Sequence, residues 1–336
     1  MRILVLAHES LIPPETVDLL ADDFAYSPWI TEYHVISNLK KMRHQVQTLG
    51  IYSDLKPIRE AIEDFKPHIV YNLLEEFAGQ SIYDQNVVSY LELLAIPYTG
   101  CHPRGLMLAR DKALAKKILT YHRIKTPKFC VFPKNKKVQA PQHLSYPLIV
   151  KCLHEEASYG ISQASLVQDA PALYERVDYI NQKLKVDAIA EQFIPGREFY
   201  VGILGNYRLK TLPVWELFFA NTKNPQNEFY SRSAKFNKNY RGRHGIGTGV
   251  AEIHQEQQKK IFDICKRSYR ALNLNGYARI DLRMDEAGSI YVLEVNPNPD
   301  ISATDDFALS AEYAKIPYRD LLKKILNLGL SWSKTY

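Results

Sequence analysis

Three oxygen-bearing side chains and one cation converge on a single predicted hairpin late in the chain. Arg279 and Asp281 alternate with aliphatic residues in one run, and Glu294 and Asn296 do so in the next. Because successive side chains of a strand point to opposite faces, each pair shares one face of its strand. If the runs pair, Asp281 lies close to Glu294, with Asn296 one pleat further and Arg279 beside them. Such oxygen ligands, shared with water and phosphates, suit Mg²⁺.

The turn and the exit of the second run support this hairpin. Residues 285–288 read Asp-Glu-Ala-Gly, which is turn chemistry, and Leu293 and Val295 are expected on the aliphatic face. The ordinary alternative is a hairpin whose polar face is simply solvated. Asn296, however, stands between an apolar run and two prolines, where solvation alone gives no reason for an amide. We therefore predict a ligand site.

Length and composition predict a globular protein of two or three domains. The 336 residues are 46% hydrophobic and 24% charged. The opening run MRILVLA is followed at once by His8 and Glu9, so it predicts a buried strand rather than a signal peptide. No later run approaches the roughly 18 apolar residues of a membrane span. Four scattered cysteines without a CxxC pair predict reduced thiols in a cytoplasmic protein.

The charge of the chain favours small anionic ligands over nucleic acid. The net charge is +6, but the basic residues are dispersed along the sequence. A mildly basic chain of this kind is expected to bind anions such as nucleotides, and we predict no nucleic-acid partner. Neither GxGxxG after the first strand nor GxxxxGK[ST] anywhere is present, so a dinucleotide fold and a P-loop have no support.

The elements that must position the hairpin fall into three stretches. Strands 2–7, 46–49 and 68–74 alternate with helices 31–43, 57–65 and 83–94, which predicts an open parallel sheet. Thr31 could cap the first of these helices. Ligands gather at the carboxyl ends of such strands, so the segments after Ala7 and Leu74 are expected to face a site. An α+β pattern follows from residue 111, with strands 129–132, 147–152, 163–167 and 187–192 and helices 111–121 and 170–184. The last stretch holds a strand pair, an irregular segment 221–248, a helix 255–272, the hairpin and a helix 318–328.

The run RID followed by LEVN resembles the metal-binding hairpin of the ATP-grasp superfamily, and of the D-alanine–D-alanine ligase family in particular. The resemblance covers most of the chain. It implies an α/β protein with the ATP-grasp fold: an N-terminal open parallel α/β domain (1–110), a central small lobe (111–196) and a C-terminal lobe (197–336) with the metal hairpin and a lid. ATP would lie between the two lobes. Mg²⁺, or Mn²⁺ as an alternative, would be held by Asp281, Glu294 and Asn296.

The same resemblance assigns the nucleotide contacts. Ammonium groups suit phosphates, and the lysines that match are Lys112 in ARDK, Lys151 in PLIVKC and Lys235 in the segment 221–248. In the run EQFIPGRE, Glu191 and the hinge that includes Phe193 would meet the adenine, while Glu198 would accept from the ribose hydroxyls. Phe229 would pack on the adenine. Long loops are often functional lids, and segment 221–248 is predicted to be one.

The catalytic assignments also come from the resemblance. Ser158 lies in a loop, 154–160, that resembles the family's phosphate-covering loop, and Lys235 would bind the transferred phosphate. Arg279 would stabilise the developing oxyanion. Glu32 matches the glutamate that meets the amino group of the first substrate. No residue stands out as a base for the attacking amine.

The resemblance weakens where the acceptor should bind. Ala157 replaces a common serine, Phe236 follows the lid lysine in place of tyrosine, and residues 74–76 read Leu-Glu-Glu where the family has His-Gly. After Asn296 the chain reads Pro-Asn-Pro-Asp, ending at Asp300, where the family continues towards Pro-Gly-Met-Thr. These departures predict an altered acceptor pocket that prefers a cationic or amine-rich substrate to D-alanine, unless the added acids are merely solvated.

We therefore expect an ATP-dependent ligase that joins a small carboxylate and an amine, amino-acid or peptide-like, through an acyl phosphate. The sequence leaves open whether the protein forms a homodimer. The rival enzymes are an ATP-grasp phosphotransferase or carboxylase, and the rival from another class is a nucleotide-binding sensor without turnover. The intact set of Asp281, Glu294, Asn296 and Arg279 favours catalysis, because a sensor need not keep it.

Overall fold

The first sheet is parallel and carries helices on both faces. The computed structural model describes residues 1–19, 24–154, 160–225 and 228–332. The sheet order is β2-β1-β3, and its elements are β1 (Arg2–His8), α1 (Ile30–Lys41), β2 (Gln45–Ile51), α2 (Lys56–Phe65), β3 (Ile69–Asn72), α3 (Asp84–Leu93) and α4 (Pro103–Arg110). Leu4 and Leu6 pack in one core cluster, and Ile3 and Val5 pack in another on the opposite face. A strand buried on both faces reads as a continuous apolar run, as the sequence indicated.

The central stretch forms a four-stranded antiparallel sheet in the order β4-β7-β5-β6. Its elements are α5 (Lys112–Tyr121), β4 (Phe129–Phe132), β5 (Leu148–Cys152), β6 (Leu166–Val167), α6 (Ala170–Asp178) and β7 (Ala188–Gln192). Asp111 caps α5 by accepting from the Leu114 amide (2.9 Å). The predicted strand 163–167 was too long, because residues 163–165 form a 3-10 turn around a capping box at Ser162. The predicted helix 170–184 changes to a π-helix at Tyr179.

The last stretch builds a largely antiparallel sheet in the order β11-β10-β8-β12-β13, with β9 beside β8. Its elements are β8 (Arg197–Leu204), β9 (Lys210–Thr211), β10 (Trp215–Phe219), α7 (Arg232–Phe236), α8 (Lys238–His244), β11 (Ile246–Val250), α9 (Gln255–Ala271), β12 (Tyr277–Met284), β13 (Ile290–Pro297), α10 (Asp306–Tyr313) and α11 (Tyr318–Trp332). Leu321 and Leu322 of α11 share a cluster with Ile3 and Val5. The end of the chain therefore packs against the first sheet.

Segment 221–248 is not irregular throughout, so that prediction was wrong. It contains α7 and α8 and leads into β11. The Ser231 side chain caps α7 by accepting from the Ala234 amide, and Asn237 caps α8 by accepting from the Tyr240 amide. Helices this short have no room for an apolar period, and only their caps mark them in the sequence.

The hairpin forms as predicted, but with a bulge that changes its faces. Asp281 pairs with Glu294 and Leu282 with Val292, which leaves Leu293 as the extra residue. A β-bulge re-aims the side chains beside it. Val292 and Val295 both enter the core, whereas Leu293 lines a cleft together with Glu294. The prediction that Leu293 shares the aliphatic face was therefore wrong, because an unbroken alternation was assumed. None of the helices described is long and apolar enough to cross a membrane.

Candidate functional site

A cavity of about 350 Å³ lies between the central sheet and the C-terminal sheet. It collects most of the predicted site residues, namely Lys112, Lys151, Glu191, Phe193, Glu198, Phe229, Lys235, Arg279, Asp281, Glu294 and Asn296. Glu32 lies instead on a second, smaller cavity. Ser158 and Ala157 fall outside the described residues.

One end of the large cavity carries a cluster of buried ion pairs. Lys116 Nζ and Lys151 Nζ lie 3.4 and 3.2 Å from Glu191 Oε1, and Lys112 Nζ lies 3.0 Å from Glu294 Oε1. Lys116 Nζ also donates to the carbonyl of Leu293, at 2.6 Å. The cluster ties α5 to β5 and β7 of the central sheet and to β13 of the hairpin. Charges removed from water in this way are tolerated only when they are paired.

The ion pairs shift the pKa values of the residues in this cluster. Burial alone would raise the pKa of Glu294, but Lys112 and Lys151 lower it to about 2. Burial lowers the pKa of Lys116 to about 8, with only part of the effect offset by Glu191. The pKa of Lys151 stays raised, because Glu191 and Glu294 outweigh its burial. Two ammonium groups therefore share one carboxylate, and this excess of positive charge suits an anionic ligand.

Arg279 and Asn296 hold the carboxylate of Asp281 on the polar face of the hairpin. Arg279 Nε donates to Asp281 Oδ1 (2.8 Å) and its Nη2 donates to Oδ2 (2.9 Å), while Asn296 Nδ2 donates to Oδ2 (3.0 Å). The guanidinium also lies over the Tyr200 ring, 4.9 Å from its centroid. This bidentate fork fixes the orientation of Arg279 towards the cavity.

The hairpin offers a donor set that fits Mg²⁺. Asp281 and Glu294 face each other in register, and Asn296 adds an amide. Burial raises the pKa of Asp281 to about 6 although Arg279 opposes it, and the nearby charge of Glu294 adds to the rise. A divalent cation would relieve this repulsion between buried carboxylates. Within the described chain no group of three His, Cys, Asp or Glu residues could hold a metal, so a Mg²⁺ ion at this hairpin would need water or other outside oxygens as further ligands.

The other end of the large cavity is aromatic. Phe193 and Phe229 meet edge to face, with ring centroids 6.4 Å apart. Glu198 Oε1 accepts from the Tyr200 hydroxyl (2.9 Å), and Glu198 Oε2 accepts from Arg283 Nε (3.1 Å). An apolar slot beside an anchored carboxylate suits the flat base and the hydroxyls of a nucleoside.

Two residues of the site were missed from the sequence. Arg283 lies over the Phe193 ring at 4.7 Å and donates to the carbonyls of Ile194 (2.8 Å) and Glu228, so it joins three segments of the aromatic end of the cavity. It continues the alternation of Arg279 and Asp281 on β12, which could have identified it. Lys116 is four residues after Lys112 and therefore on the same face of α5.

The second cavity, of about 150 Å³, shares a wall with the first. Glu75, Asn298, Pro299 and Asp300 line both cavities. Thr31 was expected to cap α1, but the helix begins at Ile30 and Thr31 Oγ1 donates to Asp300 Oδ1 (2.7 Å). The capping prediction was wrong because Trp29 occupies the N-cap position, which places Thr31 inside the first turn of α1.

Glu32 gives this cavity a testable property. Its side chain is 4% exposed, and burial raises its pKa from 4.5 to about 8. Between these two values the folded protein holds a proton that the unfolded chain lacks, so stability falls as the pH rises through this window.

We predict that Glu32→Gln, which cannot ionise, stabilises the protein more at pH 8.5 than at pH 5.5. The difference should reach about 3 kcal/mol, since the effect grows by about 1.4 kcal/mol for each pH unit up to the folded pKa of about 8 and levels off above it. Denaturant midpoints at both pH values measure it, with the exposed Glu63→Gln on α2 as the matched control. An equal effect at both pH values contradicts a buried, protonated Glu32.

Known proteins match this chain over most of its length. The family model for the D-ala D-ala ligase C-terminus matches residues 115–327. The uncharacterized protein y4sG of Sinorhizobium fredii is 31% identical, over 88% of this chain and 86% of that protein. The D-alanine–D-alanine ligase of Carboxydothermus hydrogenoformans is 32% identical, over 74% of this chain and 77% of its own.

A solved structure shares the fold. The D-alanine–D-alanine ligase of Bacillus anthracis, complexed with ATP, superposes with a TM-score of 0.75 at 24% identity, covering 100% of this chain and 99% of that one. The predicted family, ATP-grasp fold and enzyme class, an ATP-dependent ligase that forms a C–N bond, are thereby confirmed. The chain belongs to the D-alanine–D-alanine ligase family.

Proposed function

We propose that this protein is an ATP-dependent carboxylate–amine ligase that works through an acyl phosphate and whose substrates differ from a pair of D-alanines. The observation that carries the proposal is the junction of the two cavities. A basic, oxygen-rich end suited to phosphates adjoins an acidic cavity across the shared wall that contains Glu75 and Asp300.

ATP would occupy the large cavity, between a central lobe (111–196) and a C-terminal lobe (197–336), with substrates also meeting the N-terminal domain (1–110). Phe193 and Phe229 pack on the adenine, Glu198 accepts from the ribose, and Glu191 holds Lys116 and Lys151 beneath the nucleotide. The phosphates lie among the lysines of this cavity, namely Lys112, Lys151 and Lys235. Asp281, Glu294 and Asn296 would hold Mg²⁺, which would supply charge neutralisation of the phosphates when bound.

The reaction then follows from what each side chain can do. A substrate carboxylate oxygen attacks the γ-phosphorus, the bond to ADP breaks, and an acyl phosphate forms. A neutral amine attacks the acyl carbon, loses a proton, and inorganic phosphate leaves. Arg279 is fixed by Asp281 and donates to the oxygen that becomes negative in the tetrahedral intermediate. A preorganised donor of this kind contributes about 3–4 kcal/mol.

The positions of the acidic residues support the proposal of an altered acceptor pocket. Of the acids that depart from the family pattern, Glu75 and Asp300 line the cavities, whereas Glu76 pairs with His8 (Nε2–Oε1 3.3 Å). We therefore assign the change of specificity to Glu75 and Asp300 and withdraw Glu76 from it. Ala157 and the Phe236 side chain fall outside the described residues.

The hairpin ligands are tested by Asp281→Asn and Glu294→Gln. Each keeps the side-chain shape and removes a negative oxygen, and we expect ADP formation to fall by at least about a hundredfold, since a metal contributes several kcal/mol to the transition state. A coupled assay measures ADP formation, and circular dichroism spectra check the fold. The control for both is Glu286→Gln, at an exposed position in the turn. Normal turnover in either hairpin variant would refute the metal assignment.

The lid is tested by limited trypsin digestion. Segment 221–248 carries Lys235, and Tyr240 of α8 accepts a hydrogen bond from Gln163 of the central lobe (3.0 Å), so the segment bridges the nucleotide cavity. We expect a non-hydrolysable ATP analogue to slow cleavage after Arg241 and Arg243 several-fold. Cleavage after Lys136, an exposed residue that does not line the cavity, should stay unchanged and serves as the internal control. Equal rates with and without nucleotide speak against a lid.

Substrate preference is tested by comparing D-alanine with other amines. We expect D-alanine not to give the highest kcat/KM in a phosphate-release panel of amino acids, basic amino acids and dipeptides, because charges on the substrate must match the acids of the second cavity. Product masses establish whether the amide or a stable phosphorylated product forms. The highest kcat/KM with D-alanine would show that the altered pocket does not change the substrate.

A further inference from the structure

Tyr200 lies between the hairpin and the aromatic end of the large cavity. Glu198 and Tyr200 are two residues apart on β8 and both line the cavity, whereas Phe199 between them packs in the core. The neighbouring strand β12 places Asp281 opposite Tyr200 and Arg283 opposite Glu198. Tyr200 is only 3% exposed. Its side chain can therefore contact the polar groups at both ends of the cavity.

The hydroxyl of Tyr200 fixes the orientation of Glu198. It donates to Glu198 Oε1 at 2.9 Å, and Arg283 Nε donates to the other oxygen at 3.1 Å. With one donor on each oxygen, the plane of the carboxylate is held in one orientation. A carboxylate has about four lone-pair sites, so Glu198 can still accept from hydroxyl groups of a ligand.

The ring of Tyr200 supports the guanidinium of Arg279. The central carbon of this guanidinium lies 4.9 Å from the ring centroid, within the range of about 6 Å for a cation–π contact. Gly202 stands opposite Arg279 on β8, and a Cβ there would meet Leu212 and the Phe307 ring at 2.6 and 2.9 Å. Because the directly opposite position has no side chain, Arg279 packs instead on its diagonal neighbour, Tyr200.

This support matters because the fork between Arg279 and Asp281 uses only one edge of the guanidinium. Nε and Nη2 donate to Asp281, and Nη1 makes no hydrogen bond with the described residues. A planar group that is held along one edge can still tilt about that edge. A ring against its face opposes this tilt, so it keeps Nη1 in one position.

We propose that Tyr200 is a positioning residue that fixes two groups of the cavity relative to each other, the Arg279 guanidinium through its ring and the Glu198 carboxylate through its hydroxyl. The proposal rests on the proposed ligase function, in which Glu198 accepts from the ribose and Arg279 donates to the developing oxyanion. One stiff side chain then sets the distance between the bound nucleoside and the reacting carbon. The ring and the hydroxyl act at different steps, so substitutions can separate them.

A role in packing alone is the alternative to this proposal. Tyr200 shares an apolar cluster with Ala234 of α7 and Trp215 of β10. If Tyr200 only filled this cluster, its substitutions would change stability without distinguishing between nucleotides or between binding and turnover.

ADP and 2′,3′-dideoxy-ADP test the hydroxyl. Tyr200→Phe keeps the ring, and we expect it to weaken ADP binding about fivefold, as for the loss of one hydrogen bond. Binding of dideoxy-ADP should not change, because this nucleotide lacks the hydroxyls that Glu198 accepts. Calorimetry with Mg²⁺ present measures both. The matched control is Tyr269→Phe, which removes a buried hydroxyl that donates to the Gly205 carbonyl (2.7 Å) and does not line the cavity. It should bind both nucleotides as the wild type does.

Tyr200→Leu and Tyr200→Met test the ring, which Tyr200→Phe retains. With the best substrates of the phosphate-release panel, kcat should stay within about twofold of the wild type in Tyr200→Phe and fall about tenfold or more without the ring. Thermal unfolding identifies the folded variants, and the flexible Met keeps the space filled.

Modification of Arg279 by phenylglyoxal, an arginine reagent, is a second measure that needs no turnover. The Arg279 side chain is 20% exposed, so the reagent can reach it. Peptide mass spectrometry should show modification several-fold faster in the Leu and Met variants and unchanged in Tyr200→Phe.

The outcomes separate this proposal from the function on which it rests. An equal effect of Tyr200→Phe on both nucleotides, or no effect on either, would overturn the proposal. Equal kcat and equal Arg279 modification with and without the ring would also overturn it. If the wild type releases no phosphate with any compound, the ligase function is rejected, and the nucleotide pair and the Arg279 modification still decide the role of Tyr200.

Discussion

The structure depends on the need to pair charges that are buried in the cleft. Glu191 is 1% exposed and Lys116 is 2% exposed, and neither would be stable there alone. Their pairing requires α5, β5 and β7 to meet, and the bond from Lys116 to the Leu293 carbonyl adds the hairpin. The bulge at Leu293 is part of the same requirement, because it sends Val292 to the core while Leu293 and Glu294 face the cleft. The basic end of the cavity is thus built where four elements meet.

Much of this arrangement could be predicted from the sequence, because the functional side chains of the hairpin recur at every second residue of a strand. Alternation alone puts Arg279 and Asp281 on one face, and the register then brings Asp281 to Glu294. A single hairpin with short-range pairing leaves few ways to assemble the polar face. The resemblance then extended the site to residues such as Lys112 and Glu198, which are distant in the sequence and which no local period could have joined to the hairpin.

The rest could not be predicted, because it depends on contacts between distant segments. No local pattern distinguishes Glu75 from Glu76. Glu75 lines both cavities, whereas Glu76 pairs with His8 at the end of β1. Thr31 was predicted to cap the first helix, but it lies inside α1 and donates to Asp300, which is far along the chain. The bulge inserts one residue without any glycine or proline to mark it. In each case tertiary partners decided between local alternatives that were equally good.

The two ends of the site are built differently, and this bears on how they can change. The basic end of the large cavity consists of strands and a helix tied by ion pairs, so replacing one member leaves a buried charge without its partner. The acidic cavity is made mostly of segments that follow strands, held by single bonds such as that from Thr31 to Asp300. Such segments tolerate substitution better than the elements that carry them. A cavity in which Glu32 Oε2 is buried without a hydrogen-bond partner among the described residues is less stable than an apolar one of the same shape. Its retention is understandable if a ligand supplies the missing donor, since a destabilised site of this kind is expected where function requires it.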